Sequence, residues 1–216
     1  MDDARERMLE IYNLSEDSKN PLSWFEDLYG SSRGDRNLIP WDWMEPHPFL
    51  VEWIEENQQT GRALVVGSGL GEDAAFLYEN GWEVTAFDVS ESAVDWASQL
   101  HKGKEIEWLV GDLIHPEETW KGAFDLVLEV HILQAISEEI RNMAYRNLSP
   151  LLDRDGLLMC IGRLADGQED KGEAPPWPLS RDFILQIGKG LSEVEFHTAV
   201  VPGKEEIRYR AVWKRD

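Results

Sequence analysis

Sulfur and positive charge are both scarce in this chain. A single cysteine, Cys160, stands among 216 residues, so no internal disulfide can form and no CxxC pair exists to hold zinc or iron. The five histidines fall into no HxxxH or HExxH spacing, which removes the common histidine-based metal motifs. Lys and Arg number 21 against 42 Asp and Glu, a formal net charge of −21. Nucleic-acid binding draws most of its affinity from cations that neutralise phosphates, and anionic membrane surfaces attract basic segments. The charge balance therefore argues against both as partners. No apolar run reaches the roughly 18 residues a membrane helix needs, and residues 1–20 lack a basic stretch followed by an apolar one. Internal repeats and low-complexity tracts are also missing. The expectation is a soluble, cytoplasmic protein.

What the chain does have is core material: 42% apolar residues and ten Trp, unlike an acidic disordered chain. One domain spanning 1–216 is expected, with a helical lid over 1–60 and an α/β core over 61–216. From Arg62 onward, β-branched apolar runs alternate with helical patterns, the mark of βαβ units and a mostly parallel sheet. The runs are ALVVG (63–67), WEVTAFD (82–88), IEWLVGD (106–112), FDLVLEV (124–130) and GLLMCIG (156–162). Helical stretches lie near 3–13, 21–29, 47–58, 70–80, 90–101 and 137–152, and the one long loop-like segment is 165–180. Two further runs, 190–200 and 205–215, flank Val201-Pro202-Gly203-Lys204 and read as an antiparallel hairpin closing a seven-stranded sheet. In the last run Arg208, Arg210 and Lys214 alternate with apolar residues. That basic face reads as a solvated strand face that discourages edge pairing.

Gly67-Ser68-Gly69-Leu70-Gly71 follows a buried strand directly and opens a helix. Glycines there let the backbone turn tightly and approach a ligand, and the free N–H groups of the helix start face it. Asp88 ends the next strand, where a carboxylate can accept both hydroxyls of a ribose. Together these indicate a nucleoside-containing cofactor. The dinucleotide fingerprint GxGxxG wants its third glycine at position 72, but that position is Glu72, beside Asp73. Two carboxylates would repel a pyrophosphate and favour a cation, which suits S-adenosyl-L-methionine with its ribose, adenine and sulfonium and no phosphate. Asp112, in Gly111-Asp112-Leu113, supplies a carboxylate at the same sheet edge; its plain alternative is a turn cap. Glu129-Val130-His131 ends the fourth strand at that edge.

These segments, together with WFEDLYG…IPWDWMEPHP before the first strand and PPWPLSRDF after the fifth, resemble the class I S-adenosylmethionine-dependent methyltransferases. The resemblance is strongest to the small-molecule branch of thiopurine, thiol, halide and tellurite enzymes and covers nearly the whole chain. It implies a Rossmann-like fold and methyl transfer to a small acceptor. Residue by residue, it implies that Gly67, Ser68 and Gly69 pass under the methionine part, Asp88 binds the ribose, and Val89 packs on the adenine. Asp112 with Leu113 would meet the adenine edge. Trp24, Tyr29 and Trp41 would cover the cofactor from the lid, with Phe25 competing for the first of these places. Glu129 and Val130 would stand beside the transferred methyl. Two positions depart from the family pattern. Val65 replaces the acid often found two residues before the first glycine, leaving Asp73 as the candidate for the methionine amino group. Val130 stands where related enzymes carry Tyr or Arg, so no acceptor preference transfers.

Methyl transfer from a sulfonium needs a base only if the acceptor arrives protonated. His131 is the first candidate for a catalytic base, since its side chain titrates near neutrality; a structural histidine is the alternative. Trp43, His47 and Trp177 are candidates for the acceptor pocket, where an aromatic wall suits a soft acceptor and attracts a cation. Two other readings remain open: an NAD-dependent oxidoreductase on the same sheet, and a cofactor-binding regulator without turnover.

Overall fold

A computed structural model describes residues 2–15, 20–165, 167, 175–203 and 205–216. Much of the expected 165–180 loop and Lys204 of the hairpin turn lie outside the described residues. The strands are β1 (Arg62–Val66), β2 (Glu83–Asp88), β3 (Glu107–Val110), β4 (Phe124–Val130), β5 (Leu152–Arg163), β6 (Ser192–Val200) and β7 (Ile207–Lys214). They form one sheet in the order β3-β2-β1-β4-β5-β7-β6. The first five pair in parallel, and β7 pairs antiparallel with both β5 and β6. The expected mostly parallel, seven-stranded sheet with an antiparallel C-terminal hairpin is therefore the fold. Because β2 and β3 extend to one side of β1 while β4 lies on the other, the chain reverses direction between β1 and β4. Open α/β sheets bind ligands in the crevice at such a point.

Helices α1 (Asp2–Ser15), α2 (Ser23–Ser32), α3 (Pro48–Glu56), α4 (Glu72–Glu79) and α5 (Glu91–Leu100) match the expected stretches. The expected helix over 137–152 is shorter. A four-residue turn, α6 (Ile132–Ala135), precedes α7 (Glu138–Ala144), and two 3-10 turns carry the chain to Leu151. The final helix, α8 (Arg181–Ile187), is capped by the Ser180 hydroxyl, which accepts from the Phe183 N–H. Of the N-terminal helices, α3 is no lid. Phe49, Leu50, Trp53 and Ile54 recur one turn apart and bury against the sheet with Ala63, Val65, Leu126 and Leu128, each such side chain worth roughly 1.5–3 kcal/mol when fully buried. Helices α1 and α2 pack on the other face, where Met8, Trp24, Leu28 and Tyr29 join the cluster of Leu64, Phe87 and Val127.

The basic face of the last strand corrects the sequence reading. β7 is an interior strand, paired on both edges, and Arg208 and Arg210 are only 5% and 3% exposed. Arg210 donates to Glu52 (2.9 Å), Glu195 (2.6 Å) and the Phe49 carbonyl (2.7 Å), so α3 covers what looked like a solvated face. Alternation reports which residues share a face. It does not report whether that face is wet, because arginine can be buried when paired.

Candidate active site

The glycine loop forms because β1 must turn sharply at the switch point. Gly67 and Gly69 adopt φ of 59° and 52°, a left-handed region costly to residues with a side chain. Space forbids one as well: a Cβ at Gly67 would lie 2.4 Å from the Ile132 Cδ1, and one at Gly69 2.9 Å from the Tyr29 hydroxyl. The buried Asp88 carboxylate holds the loop. It accepts from the Gly69 N–H at 2.9 Å and the Ser90 N–H at 3.0 Å. Burial pushes its pKa upward, against these hydrogen bonds.

A cavity of about 600 Å³ opens over this loop at the carboxyl ends of the strands. Gly67, Ser68, Gly69, Asp73, Asp88 and Val89 line it, as do Asp112, Leu113, Val130 and His131. From the N-terminal segment come Tyr29, Trp41, Trp43 and His47. The topology thus gathers most of the expected residues around one space. Asp112 accepts from the Ile114 N–H at 2.8 Å, so one of its oxygens does cap a turn. The Trp41 indole N–H donates to the Tyr29 hydroxyl at 2.9 Å, joining two lid aromatics.

Three expected residues do not line the cavity. Trp24 lies on the same stripe of α2 as Leu28, four residues on, and is 1% exposed. Phe25 and Tyr29, about 100° round the helix, reach the space instead, and Trp24 backs Phe25 with ring centroids 3.9 Å apart. Glu129 is displaced by strand alternation. Val130 faces the cavity, so Glu129 turns to the opposite face, fully buried, and accepts from the Leu133 N–H at 2.9 Å. Burial raises its pKa to about 7. Trp177 is pinned through its backbone to Gln134 and packs edge-on against Tyr12; Pro176 lines the cavity beside it. Glu72, expected to contribute negative field, is paired with Arg36 at 2.6 Å, and Arg36 also grips Asp42 at 2.6 Å. The pair ties the lid loop to the start of α4. A second tie runs from the His47 N–H to Asp73 at 2.7 Å. Asp73 is held near pH 6, chiefly by its enclosure in protein.

His131 sits at φ 64°, ψ 0°, a strained conformation for a non-glycine residue, and its hydrogen bonds decide its tautomer. The Gln134 amide nitrogen donates to the carbonyls of Arg163 (2.9 Å) and Trp177 (3.0 Å), which leaves Oε1 as an acceptor. That oxygen lies 2.9 Å from His131 Nδ1, so Nδ1 carries the proton and Nε2 holds a lone pair. The lone pair is engaged by Arg208 Nη1 at 3.1 Å. Burial, together with the charges of Arg208 and Arg163, lowers the His131 pKa to about 4. A base whose lone pair already binds a guanidinium is poorly placed to take a proton near neutrality, which counts against the catalytic role expected of it. Sequence reasoning missed Arg208, Arg163 and Glu206 as lining residues and offered Phe25 only as a rival to Trp24; all four line the cavity. Only the tertiary pairing of β7 with β5 brings Arg208 to His131.

A family model described as "Methyltransferase domain" matches residues 63–156. "Thiocyanate methyltransferase 1" of Brassica oleracea is 27% identical over 192 residues, covering 82% of this chain and 80% of that protein. "Probable thiol methyltransferase 2" of Arabidopsis thaliana is 27% identical over 182 residues, covering 79% and 77%. Residues 63–156 thus match a methyltransferase domain, and the chain is similar to small-molecule methyltransferases. Its fold superposes on the N-methyltransferase NodS from Bradyrhizobium japonicum in complex with S-adenosyl-L-homocysteine, with TM-score 0.66, 18% identity, and 95% and 98% of the two chains covered. These similarities support S-adenosylmethionine as the methyl donor and a small molecule as the acceptor, and the oxidoreductase and regulator readings are not favoured. The methyltransferase's cavity fits that donor on its own chemistry: a glycine cradle without side chains, buried carboxylates for hydroxyl and ammonium groups, and aromatic rings beside a sulfonium. Among the described residues, no helix is long and apolar enough to cross a membrane.

Proposed function

We propose that the methyltransferase moves a methyl group to a small soft acceptor of the thiol, thiopurine, halide or chalcogenide type by in-line displacement, with residues 1–216 acting as one unit of lid and core in a cytoplasmic setting. In this reading Gly67, Ser68 and Gly69 pass under the methionine part, and Asp73 receives its amino group. Asp88 accepts from the ribose hydroxyls with the lone pairs that Gly69 and Ser90 leave open. Val89, Asp112 and Leu113 hold the adenine, while Phe25, Tyr29 and Trp41 close over it. Trp43, His47 and Val130 face the acceptor. The bound donor supplies an electrophilic methyl on a leaving group that departs neutral. The protein's contribution is alignment and exclusion of water, and ideal positioning can be worth ~7–11 kcal/mol.

The observation that carries this reading is the pairing of a glycine-and-carboxylate cradle with an edge where, among the described residues, the expected histidine base is not available, because the His131 lone pair is taken by Arg208. Such a site suits acceptors that are nucleophilic without losing a proton. The names of the thiocyanate and thiol relatives agree with it. Calorimetric titration with S-adenosylhomocysteine should give saturable binding. A radiolabelled methyl donor offered with thiols, iodide and tellurite should label at least one of them. No binding of S-adenosylhomocysteine would sink the reading, and binding without transfer to any soft acceptor would remove the acceptor class.

A further inference from the structure

Helix α2 meets the site with two of its stripes. Phe25 and Tyr29 face the cavity. The residue after each, Glu26 and Gly30, faces α5 instead, and the two helices run close together there: a Cβ at Gly30 would lie 3.2 Å from the Ser92 hydroxyl. Glu26 is an acid of the lid that closes the end of a core helix. Ser90, the N-cap of α5, accepts from the Ala93 N–H at 3.1 Å, and the first-turn amides that such a cap leaves over need other acceptors. The Glu26 carboxylate accepts from the Ser92 N–H at 3.0 Å, from the Ser90 hydroxyl at 2.7 Å, and from the Ser92 hydroxyl. Burial raises its pKa, but the bonds from Ser92, Ser90 and the Glu91 N–H outweigh burial and hold the carboxyl below its ordinary value. Glu26 is therefore a charged acceptor at neutral pH, which makes stronger hydrogen bonds than a neutral one, and it sits at the positive end of the α5 dipole.

These contacts close a ring through the ribose acid. The Ser90 hydroxyl gives its proton to Glu26, while the Ser90 N–H donates to one Asp88 oxygen at 3.0 Å. The other Asp88 oxygen accepts from the Gly69 N–H at 2.9 Å. Gly69 lies against the Tyr29 hydroxyl, 2.9 Å from where a Cβ would stand, and Tyr29 is one turn along α2 from Glu26. One lid helix thus reaches both groups that hold Asp88. Two other ties of the lid, Arg36 to Glu72 and the His47 N–H to Asp73, run to α4. Glu26 makes its tie on the ribose side.

We infer that Glu26 is a positioning residue for the cofactor, fixing through Ser90 the lone pairs that Asp88 presents to the ribose and seating the lid aromatics Phe25 and Tyr29 in the same contact. The inference rests on the methyltransferase reading above, in which Asp88 accepts from the ribose hydroxyls. Glu26 does not line the cavity, so its effect on the ligand passes through Asp88 and through the placement of α2.

The test compares adenosine with dideoxyadenosine, which lacks both ring hydroxyls. Each displaces S-adenosylhomocysteine in calorimetric competition, in the wild-type protein and in Glu26→Ala. The ratio of the two affinities reports the hydroxyl contacts, since a change that loosens the whole site weakens both ligands alike. Wild type should favour adenosine at least about tenfold, and Glu26→Ala should cut that preference to about threefold or less. Glu26→Gln keeps an acceptor for the Ser92 N–H and should restore most of the preference. If Glu26→Ala fails to fold, Ser92→Ala, which takes one hydroxyl from the carboxylate, should lower the preference about twofold. An unchanged preference in a folded variant overturns the inference even if both ligands bind more weakly, because Glu26 would then be structural only. A wild type that binds S-adenosylhomocysteine without preferring adenosine takes the ribose role from Asp88 and the inference with it. Failure of the wild type to bind S-adenosylhomocysteine overturns the methyltransferase reading beneath both.

Discussion

Glu129→Gln should stabilise the protein above neutrality and do little below pH 5. The carboxyl is fully buried and outside the cavity lining, with one oxygen accepting from the Leu133 N–H and Cys160 beside it. Burial lifts its pKa from 4.5 to about 7, more than the Leu133 and Ile132 N–H groups lower it. The unfolded chain therefore loses this proton first as pH rises. Stability from Glu129 is fully present below pH 4.5 and is lost as pH climbs through about 7. At about 1.4 kcal/mol per pH unit of displacement, the loss is about 3 kcal/mol. Glutamine keeps the acceptor for Leu133 and has nothing to ionise. Other groups titrate over the same range: Asp73, raised to about 6, in the same direction, and the two lowered histidines, His47 and His131, in the opposite one. They are present in both proteins, so the difference between the two curves isolates Glu129. Urea unfolding at about pH 5 and about pH 8 should show the variant gaining about 3 kcal/mol on the wild type between the two. Parallel pH dependences would refute the argument and mean that Glu129 is ionised or solvated in the folded protein.

Asp88→Ala removes the acceptor for the Gly69 and Ser90 N–H groups and should weaken S-adenosylhomocysteine binding by about tenfold or more in calorimetry, as expected for about 1.4 kcal/mol; unchanged affinity would take Asp88 out of the ribose role. Gly67→Ala places a Cβ against Ile132 at positive φ and should cost at least about 1 kcal/mol in thermal or urea unfolding. Arg36→Ala cuts the clasp between Asp42 and Glu72. Because the pair is partly exposed, the loss of S-adenosylhomocysteine affinity should be modest, about 1 kcal/mol, with global unfolding little changed. With an anionic acceptor, kcat/KM should show no limb near pH 6.5, since the His131 pKa is depressed to about 4. A fall in rate as pH drops through 6.5 would restore a histidine base.

Much of this protein was legible in one dimension, because some signals are local. All seven strands follow from apolar or alternating runs, and the switch point follows from the order of elements. The glycine loop needs only Gly67 and Gly69 next to a strand, since left-handed φ is a property of the residue itself. The acids at strand ends, Asp88 and Asp112, reach the cavity because each parallel strand ends at the same sheet edge. Where the reading went astray, the deciding contact was distant. Trp24 and Phe25 differ by about 100° of helix rotation, and only the angle at which α2 meets the sheet selects between them. Glu129 and Val130 alternate, and the covering turn of α6 decides which of the two is shut away from the cavity. The arginines of β7 looked solvated because alternation carries no information about what packs above it. Their burial is set by α3, about 160 residues earlier, and by the insertion of β7 between β5 and β6. The sequence by itself therefore determined the sheet, the cradle and the class of donor. The tertiary structure alone decided which side chains face the cavity and in what charge state, because desolvation and pairing depend on neighbours that the chain brings together only when folded.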